Sequence, residues 1–142
     1  MKNEMCLEFD SISANEAFAR VTVAAFMTQM NPSMEEVADV KTAVSEAVTN
    51  AIIHGYGGEV HKIVIRGEID GEWLCLEVKD RGVGIPDVEK AMEPLYTTRP
   101  ELERSGMGFL FMEAFMDEVK VESEPGKGTK VIMKKRIRQQ EE

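Results

Sequence analysis

Two patterns of apolar residues, one with a period of two and one with helical spacing, divide the chain into predicted strands and helices. Residues 5–9 alternate apolar with polar side chains, which predicts a short half-buried strand. The period of two returns over residues 62–80, where Asp70-Gly71 lies between two alternating runs and predicts a hairpin turn. Apolar residues alternate on both sides of the turn sequence 124–128, which predicts a second hairpin.

Two S-x-x-E sequences mark the beginnings of predicted helices. Ser13 with Glu16, and Ser33 with Glu36, have the spacing of a capping box, in which hydroxyl and carboxylate satisfy backbone N–H groups. The first helix is predicted to end near Gln29, where an Asn-Pro pair follows. The second is predicted to be long and to end at the next glycine-rich sequence.

The order of the elements predicts the fold class. A third main helix is expected over residues 109–117, and a shorter one near residues 88–92. Between them lies a long link, residues 93–106, and a link of this length is usually functional. The order strand, two helices, hairpin, helix, hairpin predicts an α+β fold, a two-layer sandwich of mostly antiparallel sheet with helices on one face. With 142 residues, a single domain over residues 1–142 is expected.

Composition and charge exclude several classes of protein. Seventeen basic and twenty-six acidic residues give a net charge of −9, which disfavours binding to nucleic acid. No secretion signal is evident and no apolar run reaches the roughly 18 residues needed to cross a bilayer, so no membrane partner is expected. Cys6 and Cys75 lack C-x-x-C spacing, and with only two histidines a zinc site is not expected. The cysteine usage favours a cytoplasmic location.

The common phosphate-loop signatures are absent. The only Gly-Lys pair, Gly126-Lys127, lacks the earlier glycine of a Walker sequence. G-x-G occurs at residues 82–84 and 106–108, but neither is followed by the third glycine of Rossmann and protein-kinase loops. The sequence therefore supports neither a Walker site, nor a Rossmann site, nor the glycine-rich loop of a protein kinase.

An acid and an amide lie on one face of the second predicted helix. Glu46 and Asn50 are four residues apart, so their side chains project together, with Cβ atoms about 6 Å apart, and can share a ligand. The apolar stripe of the helix lies roughly 120° to 160° away, so the pair avoids the main contact face. That stripe consists of Val37, Val40, Val44, Val48 and Ala51. Taken alone, the pair also fits an ordinary solvated helix face.

Three further segments combine glycines with ligand-binding groups. Asp80 ends a predicted strand and begins D-x-G-x-G, whose glycines Gly82 and Gly84 permit close approach of a ligand. Residues 105–108, Ser-Gly-Met-Gly, precede the third helix, whose unpaired N–H groups favour phosphate. Gly128-Thr129 follows the last turn. Each of the three, taken alone, also fits a plain turn or helix entry.

Together, in this order and on these elements, the four segments resemble the N, G1, G2 and G3 boxes of the ATPase superfamily that contains DNA gyrase, Hsp90, histidine kinases and MutL. The resemblance covers about residues 5–137. Within that superfamily, three sequences resemble the anti-sigma F factors of spore-forming bacilli: EAVTNAIIHGY at 46–56, DRGVGI at 80–85 and TTRPELERSGMG at 97–108. The fold implied by the resemblance is a Bergerat-type ATP-binding fold.

The resemblance also implies roles for individual residues. Asn50 would bind a magnesium ion that bridges the triphosphate of ATP, for which an amide oxygen is a suitable hard ligand. Asp80 would accept a hydrogen bond from the adenine amine, and Glu46 would be the catalytic base. Arg99 and Arg104, in a lid, would be charge partners of the transferring group. The other nucleotide-binding positions are Gly82, Gly84, Ile85, Thr98, Ser105, Gly106, Met107, Gly108 and Thr129.

The activity implied by the resemblance is that of a protein serine kinase that uses ATP to phosphorylate an anti-anti-sigma factor. With nucleotide bound, it would also bind and inhibit a sporulation sigma factor, and it would form a homodimer. His54 lies in the first box and His61 begins a strand, so the phosphoacceptor is expected on another protein. Glu16 and Arg20 in the first helix are candidates for partner binding, and the alternative for them is an exposed i,i+4 ion pair.

Two alternative functions remain open at this point. One is a non-enzymatic module in which ATP only sets the shape that binds sigma, and the other is the related general-stress anti-sigma kinase. Glu46 favours an enzyme, because a pure binding module has no evident need for a base there. The sequence leaves undetermined the sigma-contact surface, the dimer interface, the acceptor serine and the retention of ADP.

Overall fold

Among the described residues, which are 1–85, 88, 92 and 108–138 of this computed structural model, five strands form one antiparallel sheet in the order β1-β2-β3-β5-β4. The strands are β1 Lys2–Asp10, β2 Lys62–Asp70, β3 Trp73–Asp80, β4 Glu118–Glu124 and β5 Gly128–Arg136. The helices are α1 Ala14–Met27, α2 Met34–Asn50 and α3 Gly108–Phe115. A 3₁₀ turn, Thr28–Met30, follows α1, and a π-helical turn, Ala51–Gly55, follows α2.

One face of the sheet carries the hydrophobic core. Ile65 of β2 lies opposite Val78 of β3, which lies opposite Val131 of β5, and all three are buried. Since side chains alternate across a strand, this register directs the apolar positions of neighbouring strands to the helix side. The buried side chains contributed by the helices include Ala19, Val23, Met27, Val40, Val44, Val48 and Met112. The predicted α+β fold with an antiparallel sheet is confirmed.

Only one of the two predicted capping boxes forms. At α2, the Ser33 hydroxyl accepts the Glu36 N–H at 3.0 Å, and the Glu36 carboxylate accepts the Ser33 N–H at 2.8 Å. At α1, Ser13 has helical backbone angles and makes no side-chain cap bond, so that prediction is wrong. The physical reason is backbone geometry, because a capping hydroxyl reaches the N3 N–H from an extended residue, as at Ser33.

The hairpin between β2 and β3 is confirmed with its turn moved by one residue. Asp70 pairs with Trp73 as the last rung of the ladder, so the two loop residues are Gly71 and Glu72. Gly71 has φ +61°, in the left-handed region that glycine adopts without strain. The hairpin of β4 and β5 forms around the predicted turn.

Some predicted features lie outside the described residues. In the predicted short helix, the Met92 N–H donates to the Val88 carbonyl at 3.1 Å, and the rest of that segment is not described. The link over residues 93–106 is likewise outside the described residues. Within the ranges that are described, no helix is long and apolar enough to cross a membrane.

Candidate functional site

The Glu46 and Asn50 side chains converge on the first residue of α3. A Cβ built on Gly108 would lie 3.2 Å from a Glu46 carboxylate oxygen and 3.1 Å from the Asn50 amide nitrogen. The predicted apolar stripe faces the core instead, with Val40 and Val44 fully buried. The shared face of the pair is therefore confirmed, and it borders the beginning of α3 instead of being a purely solvated helix face. A side chain at Gly108 would intrude on both functional groups.

Asn50 carries an amide nitrogen whose hydrogen-bonding capacity the described residues leave unused. Its nitrogen is buried and has no hydrogen-bond partner within the part of the chain that the structure describes. A buried polar group without a partner costs about 1–3 kcal/mol. The oxygen of the same amide is the kind of donor that a magnesium ion prefers, and such an ion usually needs only one or two donors from the protein, so Asn50 fits a role as magnesium ligand.

The end of α2 widens into a π-helical turn that reaches the next part of the site. The Tyr56 N–H donates to the Ala51 carbonyl at 3.0 Å, an i→i+5 bond. π-Helical turns of this kind occur often at functional sites. The turn places Gly55 against Asp80, because a Cβ on Gly55 would lie 2.8 Å from the Asp80 carboxyl carbon. One continuous segment thus connects the Glu46/Asn50 pair with Asp80.

Asp80 is a buried carboxylate at the end of β3, with 5% of its surface exposed. Its Oδ1 accepts the Gly82 N–H at 2.9 Å. Burial raises the pKa of Asp80 from 3.8 to about 6, and hydrogen bonds from the backbone N–H groups of Gly82 and Thr129 oppose that rise. A hydrogen-bond donor on a ligand that reaches this carboxylate would therefore stabilise its ionised form.

The loop after Asp80 is held on its first side by the π-helical turn. The Val83 N–H donates to the Gly55 carbonyl at 2.9 Å. A Cβ on Gly82 would lie only 1.9 Å from that same carbonyl oxygen, so no larger residue fits there without a backbone shift. The predicted need for glycine at this position is explained by backbone packing within the protein.

The same loop is held on its other side by the β4–β5 hairpin. The Val83 carbonyl accepts the Gly126 N–H at 2.7 Å, and the Ile85 N–H donates to the Ser123 hydroxyl at 2.7 Å. Gly84 has φ +78°, and a Cβ there would lie 2.1 Å from the Glu124 carbonyl oxygen. The loop is therefore fixed between two elements that are distant in sequence.

Three residues of this site were not predicted from the sequence. Gly55 contacts Asp80, Ser123 holds the loop, and Tyr56 joins the π-helical turn to both β2 and the loop. The Tyr56 hydroxyl accepts the Arg81 N–H at 2.7 Å and donates to the Lys62 carbonyl. Ser123 could have been noticed as a polar residue in a strand position that continues an apolar alternation. No comparable signal marks Tyr56.

Six predicted site residues cannot be located in this structure. Thr98, Arg99, Arg104, Ser105, Gly106 and Met107 lie outside the described residues. Of the predicted phosphate-binding segment, only Gly108 is described, and it is buried at the beginning of α3. The proposed lid and its arginines stay predictions.

The predicted partner-binding pair lies on α1, apart from the loop that holds Asp80. The Arg20 Nε lies 3.4 Å from the Glu16 carboxylate, close enough for an ion pair. The same Nε atom is buried and has no hydrogen-bond partner among the described residues, so the ion pair is poorly aligned. Nearby on the same helix, Phe18 is 51% exposed and Val21 57% exposed.

Comparison with known proteins identifies the family. The sequence profile of the histidine kinase-like ATPase domain matches residues 11–135. An anti-sigma F factor from Clostridium acetobutylicum is 60% identical over 137 residues, and one from Geobacillus kaustophilus is 61% identical over 138 residues. These matches cover 96% of this chain, and 96% and 94% of the two relatives. The chain belongs to the anti-sigma F factor family of histidine kinase-like ATPases. An ATPase domain binds nucleotide, so the residues described above form the candidate nucleotide site.

A solved structure supports the fold. The RsbU and RsbW domains of a Mycobacterium tuberculosis protein match with a TM-score of 0.69 and 21% sequence identity. The match covers 95% of this chain but 32% of that longer chain, so this chain spans about a third of it. At this identity, the likeness concerns the fold alone.

Proposed function

We propose that this chain is an ATP-dependent protein serine kinase that phosphorylates an anti-anti-sigma factor and, with nucleotide bound, binds and inhibits a sporulation sigma factor. The observation that carries the proposal is the convergence of Glu46 and Asn50 on Gly108. It brings an acid and an amide, whose nitrogen has no hydrogen-bond partner among the described residues, to the beginning of a helix, where free N–H groups favour phosphate. The high identity to anti-sigma F factors supports the sigma partner.

Asp80 selects the base in this proposal. Its buried carboxylate accepts a hydrogen bond from the exocyclic amine of adenine. Guanine has a carbonyl oxygen at the same place, which would leave two acceptors facing each other without a proton between them. Gly82, Gly84 and Ile85 belong to the loop that follows Asp80 and would border the base, and both neighbouring elements hold this loop in place. ATP is therefore expected to bind more tightly than GTP.

Asn50 holds the metal in this proposal, and Glu46 acts on the acceptor. A magnesium ion bound through the Asn50 oxygen would neutralise charge on the phosphates. Glu46, one helical turn away, orients the attacking serine hydroxyl and takes its proton as the bond to the terminal phosphorus forms and ADP leaves. Both side chains project from one helix, so the separation of their Cβ atoms is set before any ligand binds.

The kinase activity is tested by separating binding from transfer. With Glu46→Gln, Mg·ATP affinity is expected to persist, while transfer to the acceptor serine falls about 10²- to 10⁴-fold, the usual contribution of a positioned base. The measurement is the rate of acid-stable serine phosphate formation from labelled ATP at saturating nucleotide, with affinity from calorimetry. Glu35→Gln, which changes an exposed acid in the first turn of the same helix, is the matched control.

Two results would contradict the proposal. An unchanged transfer rate in Glu46→Gln would remove the base from its role. No serine phosphate from the unaltered chain, combined with nucleotide-dependent binding of sigma, would instead establish the non-enzymatic binding module. Assays against a sporulation and a general-stress sigma factor distinguish the two kinds of partner.

The protein partners are assigned to α1 in this proposal. Arg20 is the only basic residue of that helix, and its Nε lacks a well-aligned acceptor among the described residues. The same helix exposes two large apolar side chains, Phe18 and Val21. An arginine beside exposed apolar groups is typical of the centre of a protein interface. Sigma, the anti-anti-sigma factor and a second copy of the chain are the proposed partners.

A further inference from the structure

Ser123 is a half-buried polar residue on the core side of β4 that makes three hydrogen-bond contacts. Its hydroxyl oxygen lies 2.7 Å from the Ile85 nitrogen, 2.9 Å from the Gly128 carbonyl oxygen and 2.8 Å from the Thr129 hydroxyl oxygen. The three contacts connect the loop after Asp80, the turn at the beginning of β5, and Thr129. Ser123 therefore occupies the centre of a small polar network.

The chemistry of the three partners fixes the positions of the protons. A serine hydroxyl has one proton to donate and two lone pairs to accept with. The Ile85 N–H can only donate to it, and the Gly128 carbonyl can only accept from it. All three contacts are satisfied together in one arrangement, in which Ser123 donates to Gly128 and Thr129 donates to Ser123. In any other arrangement, at least one of these close contacts has no proton between its two atoms.

This arrangement determines what Thr129 can offer a ligand. With its only proton directed to Ser123, the Thr129 hydroxyl presents lone pairs alone. Thr129 lies directly opposite Asp80 across the β3–β5 ladder, with both side chains buried on the same face of the sheet. The ionised carboxylate of Asp80 also presents only lone pairs. This part of the candidate site thus contains two acceptors and is suited to an amino group.

We propose that Ser123 is a specificity-determining positioning residue, which orients the Thr129 hydroxyl as an acceptor so that Thr129 and Asp80 together select a base with an exocyclic amine. The inference rests on the proposed function, in which Asp80 faces adenine, and on the nucleotide-binding position that the family resemblance implies for Thr129. A base with a keto oxygen at that position would meet two acceptors. Ser123 acts through Thr129, and it does not touch the base.

The test compares ATP with inosine triphosphate, which differs only in having a keto oxygen and a ring N–H in place of the amine and the bare ring nitrogen. In Ser123→Ala, the Thr129 proton is released and can turn toward the base, so the preference for ATP is expected to fall about 3- to 10-fold, the range of one neutral hydrogen bond. Ser123→Thr restores a hydroxyl and should restore the preference. The control Thr28→Ala removes an exposed hydroxyl far from the site and should change nothing.

A double-mutant cycle separates this role from a general structural one. If Ser123 acts through the Thr129 hydroxyl, Ser123→Ala should have no further effect on the ATP-to-inosine triphosphate ratio when Thr129→Val is already present. Thermal unfolding of each variant shows whether it is folded. A folded Ser123→Ala chain with the original ratio would overturn the proposal, and so would an equal effect of that change in both backgrounds.

A measurement on the unaltered chain makes the test independent of any variant and of nucleotide. The Thr129 hydroxyl proton, held by Ser123 in a buried network, is expected to exchange with water slowly enough to be seen by NMR. If it exchanges as fast as the exposed Thr28 hydroxyl, the proposed orientation is wrong. If the unaltered chain bound neither triphosphate, the proposed function would fail instead, and this exchange rate would still show whether the Thr129 proton is held within the network.

Discussion

Asp80 illustrates at the scale of one residue how a binding group can reduce the stability of the empty protein. Burial raises its pKa from 3.8 to about 6, so the folded protein binds this proton more tightly than the unfolded chain does. The stability associated with the group is therefore complete below about pH 4 and is lost as the pH rises through 6. A tenfold change in acidity is worth about 1.4 kcal/mol, so the ionised group costs the fold about 3 kcal/mol.

Asp80→Asn is expected to stabilise the ligand-free protein and to impair base selection. At pH 7–8 the free energy of unfolding should rise by up to about 3 kcal/mol, because a neutral amide replaces a buried charge. At pH 4 the gain should be small. The ATP-over-GTP preference should fall by about 1.5–3 kcal/mol, the usual contribution of a charged hydrogen bond. Urea unfolding across pH 4–8 and calorimetric titration measure the two effects.

The matched control for that change is Asp70→Asn. Asp70 also ends a strand, but its side chain is exposed, so neither stability nor selectivity should respond. Equal pH dependence in Asp80→Asn and the unaltered chain would show that the buried carboxylate does not titrate as described.

Gly82 shows how a residue without a side chain can determine the geometry of the site. Gly82→Ala would place a Cβ 1.9 Å from the Gly55 carbonyl oxygen, a backbone atom that cannot yield without moving the π-helical turn and the Asp80 loop. We expect nucleotide binding to be lost and unfolding to become easier by more than 1 kcal/mol, the typical effect of a strained substitution. Calorimetry with Mg·ATP and urea unfolding measure both effects.

Gly67→Ala provides the comparison for this substitution. There a Cβ would lie 3.1–3.2 Å from Met5 and Phe26 side-chain atoms, which can move. That variant should therefore bind nucleotide normally. If Gly82→Ala behaved in the same way, the close contact between the loop and the π-helical turn would be irrelevant to binding.

At the scale of elements, the two S-x-x-E sequences give a direct comparison of sequence signal with structure. Ser33→Ala is expected to lower the free energy of unfolding by about 1 kcal/mol, within the 0.5–2 kcal/mol range for a lost N-cap, because the hydroxyl accepts the Glu36 N–H. Ser13→Ala should have little effect, because Ser13 makes no cap bond. Urea unfolding of both variants tests the difference. Equal losses would contradict the difference between the two helix ends.

The π-helical turn is the element that joins the two halves of the site. It carries Gly55 to Asp80 and ends at Tyr56, whose hydroxyl bonds both β2 and the loop after Asp80. Burial raises the pKa of Tyr56, so it remains protonated and able to donate to the Lys62 carbonyl over the physiological range. A regular α-helical end would follow a different path and would not deliver these groups to the same places.

At the scale of the whole molecule, the negative net charge makes a cation such as Arg20 important for partner binding and not for nucleotide binding. The chain has a net charge of −9, so a cation on an acidic surface is prominent in recognition. Arg20→Ala is expected to weaken binding of sigma and of the anti-anti-sigma factor by about 2 kcal/mol, as at an interface hot spot, and to leave Mg·ATP affinity unchanged. Calorimetry with each partner measures the effect.

Lys120→Ala is the control for net charge, because Lys120 is an exposed cation on β4 that pairs with Glu122. It should leave all the affinities unchanged. Unchanged partner affinity in Arg20→Ala would remove α1 from the proposed interface.

The predictable part of the site consists of residues whose roles depend on local sequence. Glu46 and Asn50 share a face because of their spacing in one helix, and Asp80 ends its strand because the alternation ends there. Gly55, Tyr56 and Ser123 were not predicted, because each makes a contact with a segment distant in sequence: with Asp80, Arg81 and Ile85, respectively. Ser13 was predicted to cap a helix and does not, since its backbone is already helical.

The sequence by itself determined the elements, their order and the face that each turns to the core, because periods of two and of 3.6 residues record which side chains avoid water. It also contained the four boxes that identify the family. Only the tertiary structure decided how the boxes meet: that Gly108 closes on Glu46 and Asn50, that Gly55 touches Asp80, and that Ser123 accepts the Ile85 N–H. Those contacts join segments 25 to 62 residues apart, and they arise from sheet register and helix packing, which local patterns do not specify.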